Sequence, residues 1–159
     1  MPSVTCTVLR TASVSVERLF DVIVAEDVLP KVLHRYGVVP GVTGTDGLTG
    51  PWDTPGSQRQ VHTSDGRTLR EEVTVWERPR RFAYRVDGFT GAIGRLVEHA
   101  TGDWSFEGTD AGSRFRWTYT FEARSPVAAP AVRGFVRLMW AGYMRNCADR
   151  CVALAEARD

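Results

Sequence analysis

Glu71 and Glu98 are the carboxylates whose neighbours aim them at an interior. In "RTLREEVTVW" a two-residue period places Leu69, Glu71, Val73 and Val75 on one face and leaves Glu72 on the other. In "RLVEHATGDWSF", Leu96, Glu98 and Ala100 share the phase of Trp104 and Phe106. A carboxyl among apolar side chains has a raised pKa and can serve as general acid or base, or pair with Arg145 from the C-terminal segment. A bulge in either strand reverses the phase and returns the carboxylate to water. Tyr84, in phase with Phe82 and Val86, and Tyr119 each join an apolar body to a hydroxyl that could position a carbonyl or a phenol; the bland alternative is a core tyrosine bonded to backbone or water.

Other chemistry-bearing residues point elsewhere. His62 falls on the face opposite Val61, His99 shares the phase of Arg95 and Asp103, and His34 stands at the end of a short helix, so none has a legible nucleophile partner. Cys147 and Cys151 lie four apart on one helical face, a spacing foreign to structural zinc sites, so no metal and no cofactor is expected. "GTDGLTG" lacks the lysine and the strand-to-helix context of a phosphate loop and reads as a turn.

These side chains need strands and a helix to hold them. "SVTCTVLR" alternates as a first strand, and Ser15 caps a helix over "VERLFDVIV", with Val14 and Leu19 placed as a staple. "DVLPKVLH" predicts a second, short helix capped by Asp27. Residues 37–56 predict irregular backbone with one short strand near Val38 to Thr45. A meander follows: "SQRQVHT", "RTLREEVTVWE", "RFAYRVD", a loop "GFTGAIG", "RLVEHATGDWSFE" and "SRFRWTYTFEA". The last hairpin carries Trp104, Phe106, Phe115, Trp117, Tyr119 and Phe121 on one side, with arginines and threonines on the other. A long helix from about Val127 to Ala157 closes the chain, its apolar face running through Val132, Phe135, Val136, Met139, Trp140, Tyr143, Cys147, Cys151 and Leu154.

With 159 residues, 43% of them apolar, the chain suits one domain over 1–159 that buries its core without staples. A formal charge of +1 and scattered arginines argue against nucleic acid, and an arginine-rich, lysine-poor composition matches the coding bias of a GC-rich, bacterial genome. Three cysteines do not make a disulfide scaffold, and no stretch reaches the roughly 18 apolar residues of a membrane span, so a cytoplasmic protein without membrane insertion is expected, as monomer or weak homodimer.

The segments "ASVSVERLFDVI", "PGSQRQVHTSDGRTLREEVTVWERPRRFAYRV" and "GDWSFEGTDAGSRFRWTYTFEA", with the closing helix, resemble the START-like helix-grip superfamily, in particular its polyketide cyclase/dehydrase and lipid-transport branch. The resemblance covers essentially the whole chain and rests on pattern more than on a fixed motif. It implies an α+β fold in which a curved antiparallel sheet, following strand, two short helices and meander, wraps a long C-terminal helix around a cavity for an apolar ligand. On that fold Val73, Val75, Trp104, Phe106, Trp117, Met139 and Tyr143 are expected to contact the ligand. Glu71, Glu98, Tyr84 and Tyr119 are the expected acid–base groups. For any one ring, plain core packing is the competing assignment. Three functions stay open: a binder of a lipid-like or polyaromatic small molecule, a polyketide cyclase or aromatase, and an interaction module with an unused cavity.

Overall fold

The structure, a computed structural model, describes residues 2–157. Alternation in the first segment builds β1 (Ser3–Ala12), whose Val4 and Val8 are buried while Thr5 and Thr7 face outward. Ser15 then caps α1 (Val16–Ile23), its side chain accepting from the Arg18 backbone N–H at 3.2 Å. The helix buries Leu19, Phe20 and Ile23. The second helix, α2 (Leu29–Val32), is a single turn with Pro30 inside it. Val28 rather than Asp27 precedes it, and Asp27 instead pairs with Lys31 at 3.2 Å. His34 therefore lies beyond the helix end.

The meander runs through β2 (Val42–Asp46), β3 (Gln58–Thr63), β4 (Thr68–Glu77) and β5 (Arg81–Asp87), then β6 (Val97–Thr109) and β7 (Gly112–Ala123). Together with β1 these strands form one curved antiparallel sheet in the order β1-β7-β6-β5-β4-β3-β2. Register shifts interrupt it between Val42 and Gly44, between Val73 and Val75, and between Val97 and His99. Such bulges bend a strand and reverse which residues face inward. Between β5 and β6, where the sequence predicts a loop, "GAIGRL" makes a short helix, α3 (Gly91–Leu96).

The closing helix starts at Ala129, two residues later than the sequence predicts, with Pro130 in its first turn, where its missing N–H is harmless. It continues as α4 (Ala129–Phe135), a π-helical segment Val136–Trp140, and α5 (Ala141–Glu156). The π segment inserts extra backbone and slips the apolar stripe. Beyond it the buried positions are Gly142, Tyr143, Met144, Cys147, Ala148, Cys151 and Ala155, while Leu154 is only partly buried. Met139 is displaced from the expected face; its Sδ would lie 2.8 Å from a Cβ at Gly37, which sits at φ +57°. Among the described residues no helix is long and apolar enough to cross a membrane.

Candidate ligand-binding site

Cross-strand register decides which side chains meet. Phe82, Trp104, Trp117 and Val8 form one inward row across β5, β6, β7 and β1, and Tyr84, Gly102, Tyr119 and Cys6 form the next. Glu71, Val86, Ala100, Phe121 and Val4 form a third. The rings at the first row and beyond it pack closely. Trp104 stacks on Trp117 at 4.4 Å and on Phe106 at 6.2 Å, and Phe20 from α1 meets Phe106 at 5.1 Å and Trp76 at 5.4 Å. Toward the other end of the sheet the helices stand off, leaving a cavity of about 460 Å³.

Phe121, Trp117 and Tyr119 from β7, Val61, Leu69 and Val86 from the meander, and Phe135, Trp140 and Tyr143 from the closing helix wall this cavity. Its exposed lining residues Val38, Arg67, Thr90 and Ala92 mark a mouth beside α3. A smaller cavity of about 40 Å³ lies behind it against Trp52, Phe82, Trp104, Cys147 and Cys151. Leu29, Leu33, Glu71, Tyr84 and Trp117 line both spaces and form the partition between them.

Glu71 is held by an arginine that the sequence reading missed. Arg59 Nε and Nη2 donate to Glu71 Oε1 at 3.1 and 2.8 Å, and the two side chains are only 3% and 9% exposed. Arg59 Nη1 also donates to the Glu26 carbonyl at 3.1 Å, and the guanidinium lies 3.8 Å from the Trp52 ring centroid. Arg145, the partner expected from the helix, is exposed instead. The available signal was phase: Arg59 alternates with Gln58 and Gln60 and shares the inward face of Val61. Burial pushes the Glu71 carboxyl above its ordinary value, against the pull of Arg59. Both Arg59 bonds fall on Oε1, and Oε2 has no hydrogen-bond partner among the described residues.

Tyr84 crosses β6 over Gly102, where a Cβ would fall inside its ring, so a glycine in mid-strand is required by the tyrosine next to it. Tyr84 and Tyr119 are 8% and 5% exposed, their rings 6.5 Å apart; the indoles of Trp104 and Trp117 lie beside the Tyr84 oxygen, and neither hydroxyl proton has an acceptor among the described residues. Burial first, then neighbouring charge, lifts both phenols well above their ordinary value. Tyr143 differs: its hydroxyl donates to the Pro40 carbonyl at 3.0 Å and ties α5 to the loop before β2. The buried indole N–H groups of Trp117 and Trp140 make no hydrogen bond among the described residues.

Of the expected site residues, Glu71, Tyr84, Tyr119, Trp117 and Tyr143 therefore surround one space. Trp104 and Phe106 lie in the closely packed ring stack, although Trp104 reaches the smaller cavity. Val73 is fully buried core, and the bulge after it turns Val75 away and puts Trp76 inward against Phe82 at 5.5 Å. The bulge between Val97 and His99 likewise gives the inward position to Val97, so Glu98 has a side chain 38% exposed and does not line the cavity. Met139 is off the cavity for the helical reason given above. Phe135 and Trp140 take the helix-side positions instead. Among the described residues no group of three or more His, Cys, Asp or Glu side chains is placed to hold a metal ion.

The sequence matches, over residues 1–156, the model of a family described as polyketide cyclase / dehydrase and lipid transport. Similar solved structures include the protein MLL2253 from Mesorhizobium loti, with TM-score 0.72 at 14% identity over 98% of both chains. The di-domain ARO/CYC BexL from the BE-7585A biosynthetic pathway gives 0.73 at 19% identity, covering 99% of this chain and 51% of BexL, so this chain spans about half of that protein. Ara h 8.0201 gives 0.65 at 16% identity over 96% and 99% of the two chains. At these identities the likeness is one of fold. No curated protein matches the sequence significantly.

Proposed function

We propose, for a chain that belongs to the polyketide cyclase/dehydrase and lipid-transport family, that the cavity between sheet and closing helix binds an apolar, lipid-like or polyaromatic small molecule. The observation that carries this reading is the cavity of about 460 Å³ with largely apolar walls, a size and character usual for small-molecule sites. Rings from β7 and the closing helix supply flat apolar contact, with Glu71, Tyr84 and Tyr119 forming a polar inner end and Asp65, Arg67 and Thr90 at the mouth. Native mass spectrometry of the purified protein tests it: a co-purified small molecule is expected. A protein that carries none, and whose melting temperature no hydrophobic compound raises, overturns the reading.

A second reading is favoured by the convergence of Glu71, Tyr84 and Tyr119 at that polar end. A cyclase or aromatase of the kind named for BexL needs a base to take a proton beside a carbonyl and donors to hold the carbonyl oxygen. Glu71 fits the first role and the two hydroxyls the second. If turnover of such a substrate is found, Glu71→Gln should abolish it while Glu98→Gln leaves it intact, since Glu98 does not line the cavity.

A further inference from the structure

Three features at the polar end share a mismatch. Glu71 Oε2 is an acceptor without a donor among the described residues, because the two Arg59 bonds to this carboxylate both fall on Oε1. Neither the Tyr84 nor the Tyr119 hydroxyl finds an acceptor for its proton among the described residues, the Tyr84 oxygen facing the indoles of Trp104 and Trp117, and all three residues line the same cavity. Buried polar groups are ordinarily satisfied, so a cluster of unsatisfied ones at a cavity wall specifies what should enter. On an apolar molecule, an alcohol or phenol oxygen answers both needs with a single atom: it donates its proton to the carboxylate and accepts from a tyrosine.

We propose that the ligand is anchored by a neutral hydroxyl, phenolic or enolic, that donates to Glu71 Oε2 and accepts from Tyr84 or Tyr119, which makes Glu71 the residue selecting hydroxylated over carboxylated apolar molecules. This rests on the binding function proposed above and narrows it. A carboxylate, the head group of a fatty acid, is disfavoured at this spot because it would set a second anion beside Glu71 in a dry site, and Arg59 is already engaged by Glu71, the Glu26 carbonyl and Trp52. A bare hydrocarbon fills the space and leaves all three groups unanswered.

Equilibrium dialysis with 2-naphthol, naphthalene and 2-naphthoate at neutral pH separates these cases. A hydrogen bond to a charged group predicts that 2-naphthol binds about tenfold or more tighter than naphthalene, with 2-naphthoate weaker than 2-naphthol. In Glu71→Gln the naphthol-to-naphthalene ratio should fall toward unity, and Tyr84→Phe or Tyr119→Phe should lower it in the wild-type carboxylate background. Should Glu71→Gln fail to fold by circular dichroism, the wild-type ranking and the two phenylalanine variants decide the matter. Equal affinity for 2-naphthol and naphthalene, or 2-naphthoate binding as tightly as 2-naphthol, overturns the proposal while leaving cavity binding standing. Binding of none of the three overturns both.

Discussion

Arg59 and Glu71 stabilise each other only as a pair. Both are nearly excluded from water, so removing one leaves an uncompensated buried charge, which costs about 3–5 kcal/mol, whereas replacing both with apolar groups of similar volume is often neutral or better. Arg59→Met is therefore expected to lower unfolding free energy by about that amount in urea titrations, and Arg59→Met with Glu71→Leu to recover most of it. A double variant as unstable as the single would show that Arg59 acts through Trp52 and the Glu26 carbonyl instead. Glu71 itself was legible because Leu69 and Glu71 lie before the β4 bulge, so the alternation holds through them. Glu98 was not, because it sits in a bulge, which a two-residue period does not reveal. Gly102 belongs with the unreadable residues too: nothing in "HATGDW" says that Tyr84 from the next strand lies across it. Gly102→Ala should displace that ring, cost about 1–3 kcal/mol by overpacking, and weaken 2-naphthol binding in the same dialysis measurement.

Among the elements, α3 is the least anchored part of the wall. It contains no buried residue, and its backbone is held by Arg67 Nη1 on the Thr90 carbonyl at 2.9 Å and by Arg124 Nε on the Gly94 carbonyl at 2.8 Å. Amides of residues 91–96 should accordingly exchange with solvent faster than those of β6 and β7; protection equal to the strands would refute a soft mouth. Elements at the other end are tied by ion pairs, such as Arg78 with Asp21 at 2.8 Å, which links α1 to the end of β4. Hydrogen bonding to Arg78 holds the Asp21 carboxyl below its ordinary 3.8. A depressed carboxyl contributes stability above its unfolded value and loses it as pH falls through the folded one. The melting temperature should thus drop below about pH 4, and Asp21→Asn should show a shallower drop. The strands, α1 and the closing helix were readable from periodicity and caps. The π segment was not, since Val136–Trp140 keeps an apolar composition while changing the helical turn, and that change leaves Trp140 on the cavity and Met139 off it.

At the scale of the molecule, the aromatic face of the last hairpin serves two purposes along its length. Near Trp104, Phe106 and Phe115 the rings pack ring on ring against α1, while from Tyr119 to Phe121 they face the cavity beneath Phe135 and Trp140. The alternating pattern is the same in both halves, because a strand residue faces inward whether or not another layer reaches it; only the distance of the helices from the sheet separates core from cavity wall. The family resemblance carried the cavity, and the residue pattern alone did not. A pair of enlargements distinguishes the halves. Val86 lines the cavity and Val73 is fully buried in core. Val73→Phe should cost about 1–3 kcal/mol, as added volume does in a packed interior. Val86→Phe should cost less than about 1 kcal/mol, since the open space accepts the ring, and it should weaken 2-naphthol and naphthalene binding together by filling the room both need. Equal destabilisation by the two substitutions in urea titrations would mean that the space at Val86 is closed in solution, and the interaction-module reading would then lead.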